Sequence, residues 1–174
     1  MALPEGFLEI SNRVRNWGRW GDDDQLGTLN FITPEVVKSA AECIKTGESF
    51  PLAVTLEKEG IQVGFIPGRI NPILEMISVD EPIDSEAGLD SFHTSDDVVQ
   101  MGLQAATHWD GLCHASYNGL VYNGYPSETI TSDKGATVCG IENLRTVCSR
   151  GVLLDVARAK GVDVLDCPYA ITAE

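Results

Sequence analysis

Gln104-Ala105-Ala106-Thr107-His108-Trp109-Asp110-Gly111-Leu112-Cys113-His114 is the stretch on which the reading of this chain turns. It continues a pattern that starts at Val98. Odd positions (Val99, Met101, Leu103, Ala105, Thr107, Trp109) are mostly apolar, and even positions (Gln100, Gly102, Gln104, Ala106, His108, Asp110) are mostly polar or small. Period-two alternation predicts a strand over 98–110, with one face in the core and the other toward a cavity or solvent. On such a strand His108 and Asp110 leave the same face, with α-carbons about 6.6 Å apart. An imidazole and a carboxylate can then converge on one cation, each at about 2.0–2.2 Å. A straight strand would carry His114 roughly 20 Å from His108. Gly111 lets the chain turn and swing His114 back. Imidazole with carboxylate suits zinc, manganese or iron better than calcium or magnesium. Spacing alone leaves two readings open: a metal site, or a hydrogen-bonded His108–Asp110 pair with His114 on the surface.

Outward from this stretch the elements are plainer in some places than in others. Thr33 can cap a helix, Pro34 suits its first position, and Glu35 favours the positive end of the dipole. Val36, Val37, Ala40, Ala41, Cys43 and Ile44 follow at helical spacing until Gly47. Residues 50–56 read as a strand. Residues 59–96, with several Gly and Pro and many acids, read as a long loop with at most short strands, and His93 within FHTSDD as a solvated residue. Residues 141–147 suggest a short helix. Residues 151–157 are nearly all apolar and suggest a strand covered on both sides. Asp155 inside them is read as an end-of-strand group paired with Arg158 or a backbone donor. Residues 169–174 look like the opening of a further helix, with Thr172 as its cap, so the chain reads as the N-terminal part of a longer protein.

The whole chain has 174 residues, a single-domain length in which 1–32 form an irregular arm rich in Trp, Gly and Asp. Twelve Lys and Arg against 26 Asp and Glu give a net charge of −14. That argues against a nucleic-acid partner and against docking on an anionic membrane surface. No apolar run approaches the roughly 18 residues of a membrane span, and the N-terminus lacks a secretory apolar core. The 5 cysteines are odd in number, irregularly spaced and without C-x-x-C, which reads as reduced thiols in a cytosolic protein.

Other candidates carry less. Asp22, Asp23 and Asp24 resemble the opening of a calcium loop but lack its Gly and Glu, and read as surface charge or caps for the turn around Gly27. Cys113 beside His114 invites a thiol-nucleophile reading, but adjacent residues on an extended chain face opposite sides. Gln104 shares the strand face of His108, and its amide oxygen is a weak, uncharged metal donor. Trp17, Trp20 and Phe31 supply aromatic walls of the kind common around flat ligands.

The run Gln104–His114 resembles the H-x-G-T-H-x-D-x-P-x-H signature of the metal-dependent cyclase family, which includes bacterial kynurenine formamidases and isatin hydrolases. NWGRWGDDDQLGTLNFITPEVV, HASYNGLVYNGYPSE and RGVLLDVARAKGVDVL are also similar to larger members, so the resemblance covers essentially the whole chain. It implies a mixed, β-rich α/β domain over 1–174 with a swivelling β/β/α barrel-like fold, incomplete here because the C-terminal half is absent. It places His108 and Asp110 on metal-ligand positions. His114 falls on the second-metal position of two-metal members, or beside the attacking water in single-metal members. Gln104 stands where the family usually has its first His ligand, and the downstream His and Glu that the family uses are missing. Thr107 is expected to orient a ligand or the backbone, and Trp17, Trp20 and Trp109 to pack or to touch substrate.

The function these implications compose is hydrolysis of a small cyclic or N-formyl amide by a water activated on Mn2+ or Zn2+, with His114 carrying the proton. A homo-oligomer, dimer or tetramer, is expected. Two alternatives stand beside it: an inactive or scaffold member that binds metal weakly, and an enzyme that closes a ring in a polyketide-type substrate.

Overall fold

A computed structural model of the chain describes residues 3–172. Helix α1 (Phe7–Val14) and a 3-10 turn (Gly27–Phe31) lie within residues 1–32, so the arm is not irregular throughout as expected, and α2 (Pro34–Ala41) starts where its residues dictate. Thr33 is extended, its hydroxyl accepts from the Val36 amide at 3.4 Å, and Pro34 opens the helix. The helix stops at Ala41, short of Gly47, because turn bonds from Cys43 N to Ala40 O and Ile44 N to Ala41 O replace the regular ladder.

Two strands occupy the region that its Gly, Pro and acid content marks as a loop. β1 (Ile73–Pro82) and β2 (His93–Gln100) form an antiparallel hairpin from Ile73↔Gln100 to Pro82↔His93, with register shifts around Ser78. The loop reading is corrected because the β-breaking residues cluster before Pro72 and at the 82–91 tip, leaving β-branched and apolar residues between them. His93 is therefore no solvated loop residue. It opens β2, partly buried, and its Nδ1 lies 2.9 Å from the Asp80 carbonyl and its Nε2 3.0 Å from the Gly88 carbonyl.

The strand expected over 98–110 ends at Gln100. Past Pro72, which offers no N–H, the pairing thins to one bond from the Gly102 amide to Ile70 O at 3.4 Å, and the Ala105 amide then closes a turn onto Gly102 O at 2.9 Å. Residues 50–56 and 151–157 form no strand, because no ladder pairs them among the described residues. Asp155 instead caps a short helix α3 (Val156–Ala159), accepting from the Arg158 amide at 3.2 Å with the Arg158 guanidinium 3.5 Å away. Residues 141–147 hold one 3-10 turn, Ile141–Asn143, and 169–172 are not helical, the last two residues lying outside the described span. A small ladder of β3 (Ile130–Thr131) with β4 (Gly135–Ala136) completes the mixed α/β architecture.

The core is small and lies beneath the 104–114 stretch. Val121, Cys113 and Cys139 are its buried members, with Tyr122, Tyr125, Ala136 and Val138 packed against them. The arm is fastened over it by side chains of the segment that follows the motif. Asn123, held at φ 59°, donates to the carbonyls of Gly21, Asp22 and Asp24 at 3.0–3.1 Å and accepts from the Gly18 amide at 2.7 Å. Asp24 caps the turn at Gly27, accepting from the Gly27 amide at 2.9 Å, and takes bonds from Asn30 and from the Tyr122 hydroxyl at 2.7 Å. Burial alone would raise the Asp24 pKa; Tyr122, Asn30 and the Gly27 amide together hold it below the usual carboxylate range. Burial first, and then the same contact with Asp24, pushes the Tyr122 phenol well above its ordinary value.

Outside this unit the chain is thinly covered. It presents 14458 Å² of accessible surface, against roughly 8,300 Å² for a compact monomer of its mass. Leu52, Val63, Phe65, Leu89, Leu153 and Leu154 are all exposed. No helix is long and apolar enough to cross a membrane among the described residues.

Candidate functional site

Turns, rather than a strand, bring the motif side chains together. The segment 101–111 is held from outside: the Gln62 amide donates to Ala105 O at 3.0 Å, and the Thr107 hydroxyl donates to Leu52 O at 3.2 Å. Thr107 thus orients backbone. Gly111 then passes so close to the 139–141 segment that a Cβ there would sit 3.1 Å from the Ile141 amide nitrogen and 3.3 Å from Cys139 O. The Cys113 amide donates to Cys139 O at 3.0 Å and starts the 3-10 turn Leu112–His114, which folds His114 back.

The result is a cavity of about 330 Å³ lined by Gln104, His108, Asp110 and His114 together, with Trp109 on its wall. His114 Nδ1 bonds the Asp110 carboxylate, and the Gln104 amide nitrogen lies 3.5 Å from the same ring atom. His108 Nδ1 lies 2.8 Å from Ala106 O. A carbonyl and a carboxylate only accept, so both rings carry their proton on Nδ1 when neutral and keep the Nε2 lone pair for another partner. The bond from His114 is the main reason the Asp110 pKa lies below the usual carboxylate value.

The donor types fit a borderline divalent cation: two imidazole Nε2 lone pairs, a carboxylate and an amide oxygen. An oxygen partner on each Nδ1 is also the arrangement that orients ligating histidines. Among the described residues, no group of three or more His, Cys, Asp and Glu is gathered closely enough to hold an ion. Asp110 and His114 face each other as a pair, and His108 stands on the same wall.

The other residues singled out in the sequence lie elsewhere. Trp17 packs against Tyr117 and beneath the Arg15 guanidinium, and Trp20 meets Phe31 edge-on beside Arg19. Neither lines this cavity, whereas Trp109 does. Cys113 is buried against Cys139, and burial pushes its thiol up, the opposite of an activated nucleophile.

Glu142 was not read from the sequence, yet it lines the same cavity. A Cβ on Gly140 would collide with its carboxylate, so the glycine is what lets that carboxylate lie there. Nothing local marks it: it lies 28 residues after His114 and is brought in by the Cys113–Cys139 backbone bond.

A second cavity, of about 220 Å³, adjoins the first. Trp109, Asp110, Gly111, Gly140 and Ile141 border both.

No protein-family model matches this chain, and no curated protein does. Among solved structures it is similar to one described as a novel cyclase, with a TM-score of 0.81 and 39% sequence identity over 93% of this chain. The match spans 54% of that structure's chain, so the present chain corresponds to about half its length. At this identity and coverage the mixed α/β fold is that of the cyclase structure, and the likeness supports a relationship between this chain and the cyclase family.

Proposed function

We propose that this chain carries the motif half of a metal-dependent hydrolase that cleaves a small cyclic or N-formyl amide. The observation that supports it most is the pair of histidines, each with Nδ1 tied to an oxygen, on one cavity with a carboxylate. His108 through Nε2, the second oxygen of Asp110 and the Gln104 amide would hold Mn2+ or Zn2+. Once bound, such an ion supplies a water of lowered pKa and polarises a carbonyl.

The chain's own groups do the rest. Asp110 keeps the His114 ring in one tautomer and stabilises its protonated form. His114 Nε2 takes the proton from the attacking water and returns it to the leaving nitrogen. The wall at Trp109 keeps one side of the reacting carbonyl apolar.

The name of the solved relative supports a second reading, closure of a ring with loss of water. Incorporation of labelled oxygen from water into product separates the two: hydrolysis requires it and ring closure does not.

The test measures metal content and turnover on an N-formyl aryl amine. His108→Ala should lose most of the bound metal. His114→Asn should retain metal and lose about 10²–10⁴-fold in turnover, the range for a positioned acid–base. Gln104→His should tighten metal binding. Unchanged metal content in His108→Ala rejects the site.

We also propose a homo-oligomer, supported by the apolar surface left uncovered on a single chain. Sedimentation at micromolar concentration tests it, and a monomer rejects it.

A further inference from the structure

The segment after the motif holds the same tripeptide twice, Tyr117-Asn118-Gly119 and Tyr122-Asn123-Gly124. An Asn-Gly step is open to an uncatalysed reaction of the chain with itself. The glycine nitrogen attacks the asparagine side-chain carbonyl carbon, and no Cβ on the glycine hinders it. Both asparagines stand at positive φ, 52° and 59°, as do both glycines, 72° and 80°. Neither the local sequence nor the backbone twist tells the two steps apart. Their surroundings do.

Asn123 is engaged at both ends of its amide. Its Nδ2 donates to the carbonyls of Gly21, Asp22 and Asp24, and its Oδ1 accepts from the Gly18 amide. The nitrogen that would attack it is engaged as well, since the Gly124 amide donates to Val121 O at 3.3 Å. The Trp17 ring covers that glycine, 3.7 Å from where a Cβ would stand. Asn118 has none of this. It is the first of two residues in a tight turn between Tyr117 and Leu120, a place that suits Asn-Gly at positive φ. It is exposed, and among the described residues neither its side chain nor the Gly119 amide makes a hydrogen bond. Nothing lies within 4 Å of the Cβ position at Gly119. The bonds from the Tyr117 amide to Leu120 O and from the Leu120 amide to Tyr117 O, each 3.0 Å, close the turn at its base. Such an exposed turn opens locally while the core stays closed.

The turn also sets Tyr117. Its hydroxyl accepts from Arg15 Nη2 at 3.0 Å, and its ring meets Phe7 edge-on at 5.3 Å.

We propose that Asn118 is a deamidation site whose product loosens the hold of Tyr117 on the start of the arm. Gly119 N bonds to Asn118 Cγ, the Cγ–Nδ2 bond breaks, and ammonia leaves with the proton of the Gly119 amide, closing a succinimide. Water then opens the ring. Attack at Cγ gives aspartate, and attack at the backbone carbonyl carbon gives isoaspartate, with the main chain rerouted through the side-chain carbon. Either product adds a negative charge. Isoaspartate also lengthens a two-residue turn, which unseats the Tyr117–Leu120 pairing and with it the contacts of Tyr117 with Arg15 and Phe7. The site needs neither metal nor turnover.

The test keeps the full chain in mildly alkaline buffer at body temperature for weeks. Fragmentation mass spectrometry assigns the converted residue. Isoaspartate is counted by an isoaspartyl methyltransferase that moves a labelled methyl group from S-adenosylmethionine onto the freed carboxylate. In the folded chain Asn118 should convert about ten-fold or more faster than Asn123, where four hydrogen bonds must first break. In denaturing urea the two should convert at similar rates. Asn118→Gly suits the positive φ, carries no amide to cyclise, and should lose most of the methyl label. The aged chain should exchange the amides of residues 7–17 about two- to ten-fold faster than Asn118→Gly aged beside it, the range for one hydrogen bond. Equal rates at the two steps in the folded chain, faster conversion at Asn123, or undiminished label in Asn118→Gly overturns the site. So does an intact Asn118 after a time in which the urea-unfolded chain has converted it. Unchanged exchange over 7–17 in chains carrying isoaspartate at 118 overturns the loosening of the arm.

Discussion

The motif unit and the β1–β2 hairpin belong to one chain but are held by different forces. Around residues 17–31 and 104–143, side chains separated by about a hundred residues in sequence bond one another: Asn123 to the carbonyls of Gly21, Asp22 and Asp24, Tyr122 to Asp24, and Gln25 to the Cys139 amide. The hairpin bonds chiefly to itself, and both of its faces carry exposed aliphatic residues such as Leu74, Ile77 and Val79. A two-stranded ribbon alone in water is marginal. The difference teaches that the site is built on long-range polar fastening around a very small core, while the hairpin depends on its own ladder.

The sharpest way to break this comparison is at Asn123. Asn123→Ala removes four hydrogen bonds and places an alanine at positive φ, and should cost about 3 kcal/mol. For a chain of this size that lowers Tm by about 6–12 °C. Asn123→Gly tolerates the backbone and isolates the side-chain part. A fall below about 2 °C in both would mean that the arm is not fastened there.

Paired truncations give a smaller and more direct contrast. Val121→Ala, at a buried position in the core, should cost about 2 kcal/mol through lost transfer energy and a residual cavity. Leu74→Ala, exposed on the hairpin, should stay within about 0.5 kcal/mol in the free chain. Denaturant midpoints measure both, and equal losses would show the hairpin to be as well covered as the core.

The smallest effect is the most specific to the hairpin. Both nitrogens of His93 face carbonyl oxygens, so the geometry selects the doubly protonated ring. The Gly88 carbonyl first, then the Asp80 carbonyl and carboxylate, raise its pKa above the ordinary 6.5 against an opposing desolvation. A raised folded-state pKa means that the stabilisation is fully present below pH 6.5 and is lost as pH rises through the higher folded value. Hydrogen exchange of the hairpin amides, corrected for the intrinsic rate, should quicken over that interval while the Asn123 region does not change. His93→Gln should remove the difference.

These elements also show which parts of the molecule were legible in its sequence. The start of α2 was readable because Thr33 and Pro34 act on neighbours within four residues. The grouping of Gln104, His108, Asp110 and His114 was readable in its outcome but not in its cause: Gly111 is extended, at φ −74° and ψ 146°, and serves by letting the 139–141 backbone pass close, the turn lies at Leu112–His114, and no strand carries the stretch. Period-two alternation specifies a strand only where a neighbouring segment supplies the ladder, and past Pro72 that supply thins to the Gly102–Ile70 bond before the chain turns at Ala105. The hairpin was obscured by its acids, which sit among the β-formers without disturbing exposed strands. Glu142 and Asn143 left no local trace, because a backbone bond between Cys113 and Cys139 brings them to the site, and Gln25 arrives with the arm through its own bond to the Cys139 amide.

The same acids have a consequence for how copies of the chain meet. Residues 73–100 hold eight Asp and Glu and no Lys or Arg, on a ribbon whose outer backbone groups have no ladder partner among the described residues. Unguarded ribbon edges invite stacking into extended assemblies, and like charge is a common guard against it. In dilute buffer eight carboxylates keep such ribbons apart. In molar salt, where the screening distance shrinks to about 3 Å, only the bulges around Ser78 would stand between neighbouring edges.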